Sequence, residues 1–138
     1  MTKREIVITD YDMQRLRKLL EGAQMWNQKD RAYLEHLEDE LDKAVLVSSK
    51  KIPPNVVTMN TQMRVTDLDT GKEMRLHLVF PSDADYERGK VSILAPIGTA
   101  LIGYQSGDTI EWKVPAGIRR LRIEEITYQP ESAGDHHL

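Results

Sequence analysis

The stretch with the strongest claim to chemistry is residues 91 to 108, VSILAPIGTALIGYQSGD, an apolar run broken by three glycines and a proline. Glycines that follow a strand can bare backbone N–H groups to a phosphate, but the chemistry needs G-x-G-x-x-G or G-x-x-x-x-G-K-[ST]. Gly98, Gly103 and Gly107 fit neither spacing. The four histidines are His36, His77, His136 and His137. The adjacent pair near the C-terminus cannot close a metal site alone, so no metal is expected. Serines at 48, 49, 82, 92, 106 and 132 sit in no nucleophile-elbow context. Without a cysteine there is no disulfide, thiolate zinc site or cysteine nucleophile. No catalytic residue and no cofactor is expected.

The residue types that remain are those of recognition. Trp26 lies beside Met25 in the polar stretch AQMWNQ, flanked by Glu21 and Asp30. The tryptophan either packs back on its neighbours or anchors a protein partner. Arg119, Arg120 and Arg122 are basic neighbours, but Glu124 and Glu125 dilute them, and the net charge of the 138 residues is −3. That balance argues against a protein that neutralises many phosphates, so no direct sequence-specific nucleic-acid binding is expected. Hydrophobic residues at 40% and charged residues at 30% describe an ordinary globular chain. No apolar run reaches the roughly 20 residues of a bilayer helix, and Asp10 interrupts the start before a signal peptide could form. The expectation is a cytoplasmic protein without a membrane.

The positioning elements follow from periodicity. Residues 5 to 8 read as a short strand, and TDYDMQRLRKLLEG as a helix with Thr9 and Asp12 in a capping-box pattern and Gly22 as its stop. Asn27 and Asp30 start a second helix, whose seam is Leu34, Leu37, Leu41 and Ala44 or Val45. Residues 9 to 46 thus read as an antiparallel helical hairpin. Pro53 and Pro54 mark a linker. Beyond it the period becomes two: VVTMNTQMRVTDL, a turn at Asp69 to Gly71, EMRLHLVF, KVSIL, TIEWKV and GIRRLRIEEITY. Pro96 opens a short helix, Gly103 closes it and Gly107 turns the chain onward. Gly98 implies either close approach of another backbone or simple tolerance. The fold class is α+β: a hairpin over residues 1–47, a linker over 48–55, and over 56–138 an antiparallel sheet of about five strands with one short helix and a polar tail after Tyr128.

This order of elements, with the run Ala95, Pro96, Ile97, Leu101, Ile102, Gly103, Gly107 and Asp108, resembles the Gre family, the transcript cleavage factors of bacterial RNA polymerase. IVITDYD, VVTMNTQMRVTDL, SILAPIGTALIG and YQPESAGD are similar to the branch of that family named for regulation of nucleoside diphosphate kinase. The resemblance implies an FKBP-like C-terminal domain that docks on RNA polymerase near its secondary channel, with the docking loop on Ser92, Ala95, Pro96 and Ile97. Ala95 departs from the serine that cleavage factors carry before this proline. The resemblance also implies a long coiled coil whose acidic tip helps hold a magnesium ion. Here residues 23 to 28 hold no carboxylate, Glu21 and Asp30 being nearest, and a helix of about 17 residues spans only about 25 Å. The expected function is a non-catalytic polymerase-binding regulator that competes with longer channel-binding factors and lacks transcript cleavage. The alternatives are an adaptor that binds protein through the hairpin tip, and a peptidyl-prolyl isomerase resting on the fold alone.

Overall fold

A computed structural model describes residues 6–23, 31–114 and 117–135, and the side chains of all these except 23, 31–34, 36 and 112–114. It is a mixed helix and strand architecture. The chain opens with β1 (Val7–Thr9), α1 (Asp10–Ala23), α2 (Arg31–Lys43) and β2 (Val45–Val47). Thr9 ends β1 and caps α1, its Oγ1 accepting the Asp12 N–H at 3.0 Å, while Asp10 and Asp12 set negative charge in the first turn. Leu16 and Leu20 of α1 are buried with Leu37 and Leu41 of α2, and Arg17 reaches Asp42 across the two helices at 2.7 Å.

Two boundaries differ from the periodicity. Gly22 lies inside α1 instead of stopping it, and α2 ends at Lys43 instead of running to residue 46. Val45-Leu46-Val47 becomes a strand paired in parallel with β1, Val7 facing Val45 and Thr9 facing Val47. Three successive branched aliphatics favour the pleated conformation, and the two helices supply the long crossover that a parallel pair needs.

The second sheet has the order β5-β4-β3-β7-β6, with β3 at Gln62–Asp67, β4 at Glu73–Val79, β5 at Lys90–Ser92, β6 at Thr109–Val114 and β7 at Gly117–Tyr128. Met63 and Val65 of β3 face inward with Leu121 and Ile123 of β7, as period-two alternation requires. The expectation of an all-antiparallel sheet needs correction at one edge, since β5 runs parallel to β4 with Leu78 opposite Val91. Residues 80–89 cause this: two short 3-10 turns, Pro81–Asp83 and Tyr86–Arg88, carry the chain back only as far as His77, so that it extends again alongside the second half of β4.

Val56 to Thr61 is not the start of a strand but a buried segment. Thr58 and Thr61 bond each other there at 2.8 Å, and Asn60 adopts φ +66°. Residues 129–135 are likewise not a loose tail. Gln129 is buried and its Nε2 donates to the carbonyls of Pro53 and Val56, both at 2.8 Å, while Tyr128 donates its hydroxyl proton to Asp135. One apolar cluster runs through the molecule, joining Ile6, Ile8, Leu16 and Leu37 to Val57, Met63, Leu101, Ile102 and Ile123.

Candidate functional site

The segment between β5 and β6 is built from the inside. Ser92 ends β5 almost wholly buried. Its Oγ accepts the Leu94 N–H at 3.1 Å and its carbonyl accepts the Ala95 N–H at 3.0 Å. These bonds wind the chain into a tight turn, from which Ala95 leaves in an extended conformation. Pro96 then opens α3 (Pro96–Leu101), where its missing N–H costs no helical bond. Thr99 fastens the turn to the helix, its hydroxyl donating to the Ile93 carbonyl at 2.8 Å and its N–H to the Ala95 carbonyl at 3.0 Å.

Gly98 resolves the choice left by the sequence. A Cβ built there would collide with the carbonyl oxygen of Ser92 and come within 2.8 Å of its carbon, so the glycine lets α3 lie against the end of β5. Gly103 is the second such point: its φ is +81°, and a Cβ would sit 2.6 Å from that of Ile6. Its carbonyl accepts the Val7 N–H at 3.2 Å and its N–H donates to Val57 at 2.9 Å, so the end of α3 is tied to both β1 and the buried segment.

Of the four residues expected to dock, Ala95, Pro96 and Ile97 lie together at the start of α3, each half-buried. With half-buried Leu94 they form a run of four partly exposed apolar residues, a ledge of which Leu94 and Ile97 also pack against the core. Ser92 does not belong to that surface. Its hydroxyl is spent inside the turn, so it shapes the ledge from behind. Glu21 is exposed near the end of α1, whereas Met25, Trp26 and Asp30 lie outside the described residues.

A cluster that the motif reading did not assemble joins the helices to the sheet unit. Asp12 is 1% exposed. One carboxylate oxygen is paired with Arg15, and the other accepts the Met59 N–H at 3.0 Å. The Arg15 guanidinium lies 4.0 Å from the Tyr11 ring centre and 4.9 Å from that of Phe80. Glu131 approaches the same place and accepts the Thr58 hydroxyl at 2.7 Å. Burial pushes the carboxyls of Asp12 and Glu131 above their ordinary values, against the lowering pull of these bonds. Asp12 occupies the helix-start position its spacing indicated, but nothing in the spacing showed that it would reach residue 59.

The three neighbouring arginines are engaged with acids. Arg119 pairs with Asp67, Arg120 with Asp69 at 3.1 Å and Arg122 with Glu124 at 2.6 Å. His77 is half-buried on β4, and burial, with Lys90 nearby, lowers its pKa. Among the described residues no group of three potential metal ligands converges, and no helix is long and apolar enough to cross a membrane.

Comparison with known proteins gives a consistent result. Residues 52–128 match the family model for the C-terminal part of the transcription elongation factors GreA/GreB, and residues 4–47 match the model named Rnk N-terminus. The chain is 37% identical over 144 aligned residues to the regulator of nucleoside diphosphate kinase of Escherichia coli, covering all of both chains. It is 36% identical over 96 residues to the transcription elongation factor GreA of Thermodesulfovibrio yellowstonii, covering 70% of this chain and 61% of that one. Its fold is similar to a solved GreA/GreB elongation factor from Nitrosomonas europaea, with a TM-score of 0.73 and 42% identity over 90% of this chain and all of the other.

Proposed function

The chain belongs to the GreA/GreB transcription elongation factor family, in its regulator-of-nucleoside-diphosphate-kinase branch, and from that premise we propose that it is a non-catalytic regulator that binds RNA polymerase near the secondary channel. The observation that carries this reading is the apolar ledge of Leu94, Ala95, Pro96 and Ile97. It is held from behind by Ser92, Gly98 and Thr99 through backbone contacts that leave it little freedom to collapse. A preformed apolar surface loses little conformational entropy on docking. The sheet unit over residues 56–138 serves as the FKBP-like docking domain. In this reading α1 and α2, within residues 1–47, are the short helical hairpin directed at the channel, and residues 48–55 connect the two units. The chain works in the cytoplasm, where the polymerase is, and any influence on nucleoside diphosphate kinase runs through transcription. It lacks transcript cleavage of its own, in keeping with residues 23–28, which hold no carboxylate.

The test is binding of the purified protein to core RNA polymerase, alone and against an acidic-tipped cleavage factor, with a Pro96→Ala/Ile97→Asp variant as control. Saturable, competitive binding that the folded variant loses supports docking through the ledge. Absence of saturable association at low salt overturns the reading and leaves a Gre-like fold serving another partner.

A further inference from the structure

β2 presents a surface that docking through the ledge does not use. In a parallel ladder, successive residues turn their N–H and C=O alternately toward and away from the neighbouring strand. The Val45 N–H donates to the Ile6 carbonyl at 2.9 Å, so Val45 and Val47 face β1 and Leu46 turns its N–H and C=O outward. The far edge of β1 is closed, because the Val7 N–H donates to Gly103. Among the described residues the far edge of β2 has no such cover. Val45 is 40% exposed and Leu46 55%, an aliphatic pair left bare beside an open strand edge.

We infer that β2 pairs with the β2 strand of a second copy of this chain, antiparallel, about a two-fold axis at Leu46. The register permits a second copy. An antiparallel pair is closed at its centre by two residues that exchange both N–H···O bonds, and a two-fold needs one such residue from each copy. Leu46 is that residue. The pairing sets Val45 against Val47 of the other copy, joining the exposed aliphatics of both.

Charge points to the same arrangement. The chain enters β2 from a mainly acidic helix end, with Glu38, Asp39 and Asp42 exposed beside Lys43 and Asp42 bonded to Arg17, and leaves it toward exposed Lys50 and Lys51. Antiparallel pairing centred on residue 46 brings the Asp42 end of one copy to the Lys50 end of the other, while parallel pairing would set like charge on like. Three residues per copy make a small interface, so the dimer is weak, with a dissociation constant of about 10 μM to 1 mM.

Sedimentation velocity on the full chain across that concentration range reads the result directly. The expected outcome is a concentration-dependent shift from monomer to dimer that raised salt weakens. Leu46→Asp should abolish the shift. Leu46→Pro removes the outward N–H together with the leucine side chain and fixes φ, a substitution an edge strand tolerates, and should weaken association at least tenfold. Lys50→Asp should weaken it as well, and Asp42→Lys with Lys50→Asp should restore it. A monomer throughout the range overturns the inference, as does a dimer indifferent to these changes in variants whose circular dichroism is unaltered. If both Leu46 variants fail to fold, the charge exchange decides alone, and its failure to weaken and restore the dimer counts against the two-fold. Loss of polymerase binding in Leu46→Asp with no dimer at any concentration would assign the edge to the polymerase instead.

Discussion

Gly98 shows how much a single missing side chain can determine, because the backbone of Ser92 occupies the space a Cβ would need. Gly98→Ala must push α3 away from the end of β5. We expect a loss of about 1–3 kcal/mol in denaturant unfolding, the usual cost of forcing volume into a packed site. Polymerase affinity should fall at the same time, although Pro96 and Ile97 are untouched. Retention of both wild-type stability and affinity would refute the close approach. Two carboxylates make opposite predictions in pH. Arg119 beside Asp67 holds that carboxyl below its ordinary value, so the unfolded chain binds the proton more readily. Its stabilisation is complete above the ordinary carboxylate pKa, about 4, and is lost as the pH falls through the lower folded value. Glu131 is raised, chiefly by burial, so here the folded chain holds the proton more tightly and stability declines as the pH rises from the ordinary value through the folded one. Arg119→Ala should therefore move acid unfolding to higher pH. Glu131→Gln keeps an acceptor for Thr58 and should flatten the decline above pH about 4. Urea titrations at a series of pH values check both signs.

At the scale of elements, the join between the helices and the sheet unit rests on Asp12. Replacing it with Ala leaves the Met59 N–H without its acceptor and Arg15 without its buried counter-ion. A buried donor stranded in this way costs about 1–3 kcal/mol. Hydrogen exchange should then quicken at Met59 and in the first turn of α1 while β3 and β7 keep their protection. Uniform loss of protection would mean that the sheet cannot stand without this contact. The elements visible in the sequence were those whose pattern is local. β4 alternates through Leu76 and Leu78, and α3 is bracketed by Pro96 and Gly103. What stayed hidden depends on distant pairing. Val45-Leu46-Val47 continues the apolar seam of α2 and becomes a strand only because Val7-Ile8-Thr9 lies beside it. β5 is too short to declare its direction, which the turns of residues 80–89 decide. The polar composition after Tyr128 concealed a side chain, Gln129, that bonds carbonyls more than seventy residues earlier in the chain. Within the site, the opening of α3 at Pro96 was legible in the sequence and the docking role of Pro96 and Ile97 came from the family resemblance alone, whereas the inward role of Ser92 required the turn to be seen.

For the molecule as a whole, reach limits what binding can accomplish. α1 has 14 residues, which at 1.5 Å each extend about 21 Å. Its base is fixed to the sheet unit by the shared apolar cluster and by Asp12, so the helices cannot advance by sliding out of the core. A factor docked through the Leu94 to Ile97 ledge would therefore occupy the approach to a deep channel without filling it. On the proposed docking, that limited reach makes competition without cleavage the expected consequence. Added to backtracked transcription complexes, the protein should leave the intrinsic rate of transcript cleavage unchanged, and it should suppress the cleavage stimulated by a longer factor in a dose-dependent way. Raising the concentration of the longer factor should relieve that suppression, since both would claim one docking surface. The Pro96→Ala/Ile97→Asp variant should suppress nothing. Stimulated cleavage by the protein alone would show that reach is not limiting, whereas suppression that survives in the folded variant would move the competing surface away from the ledge.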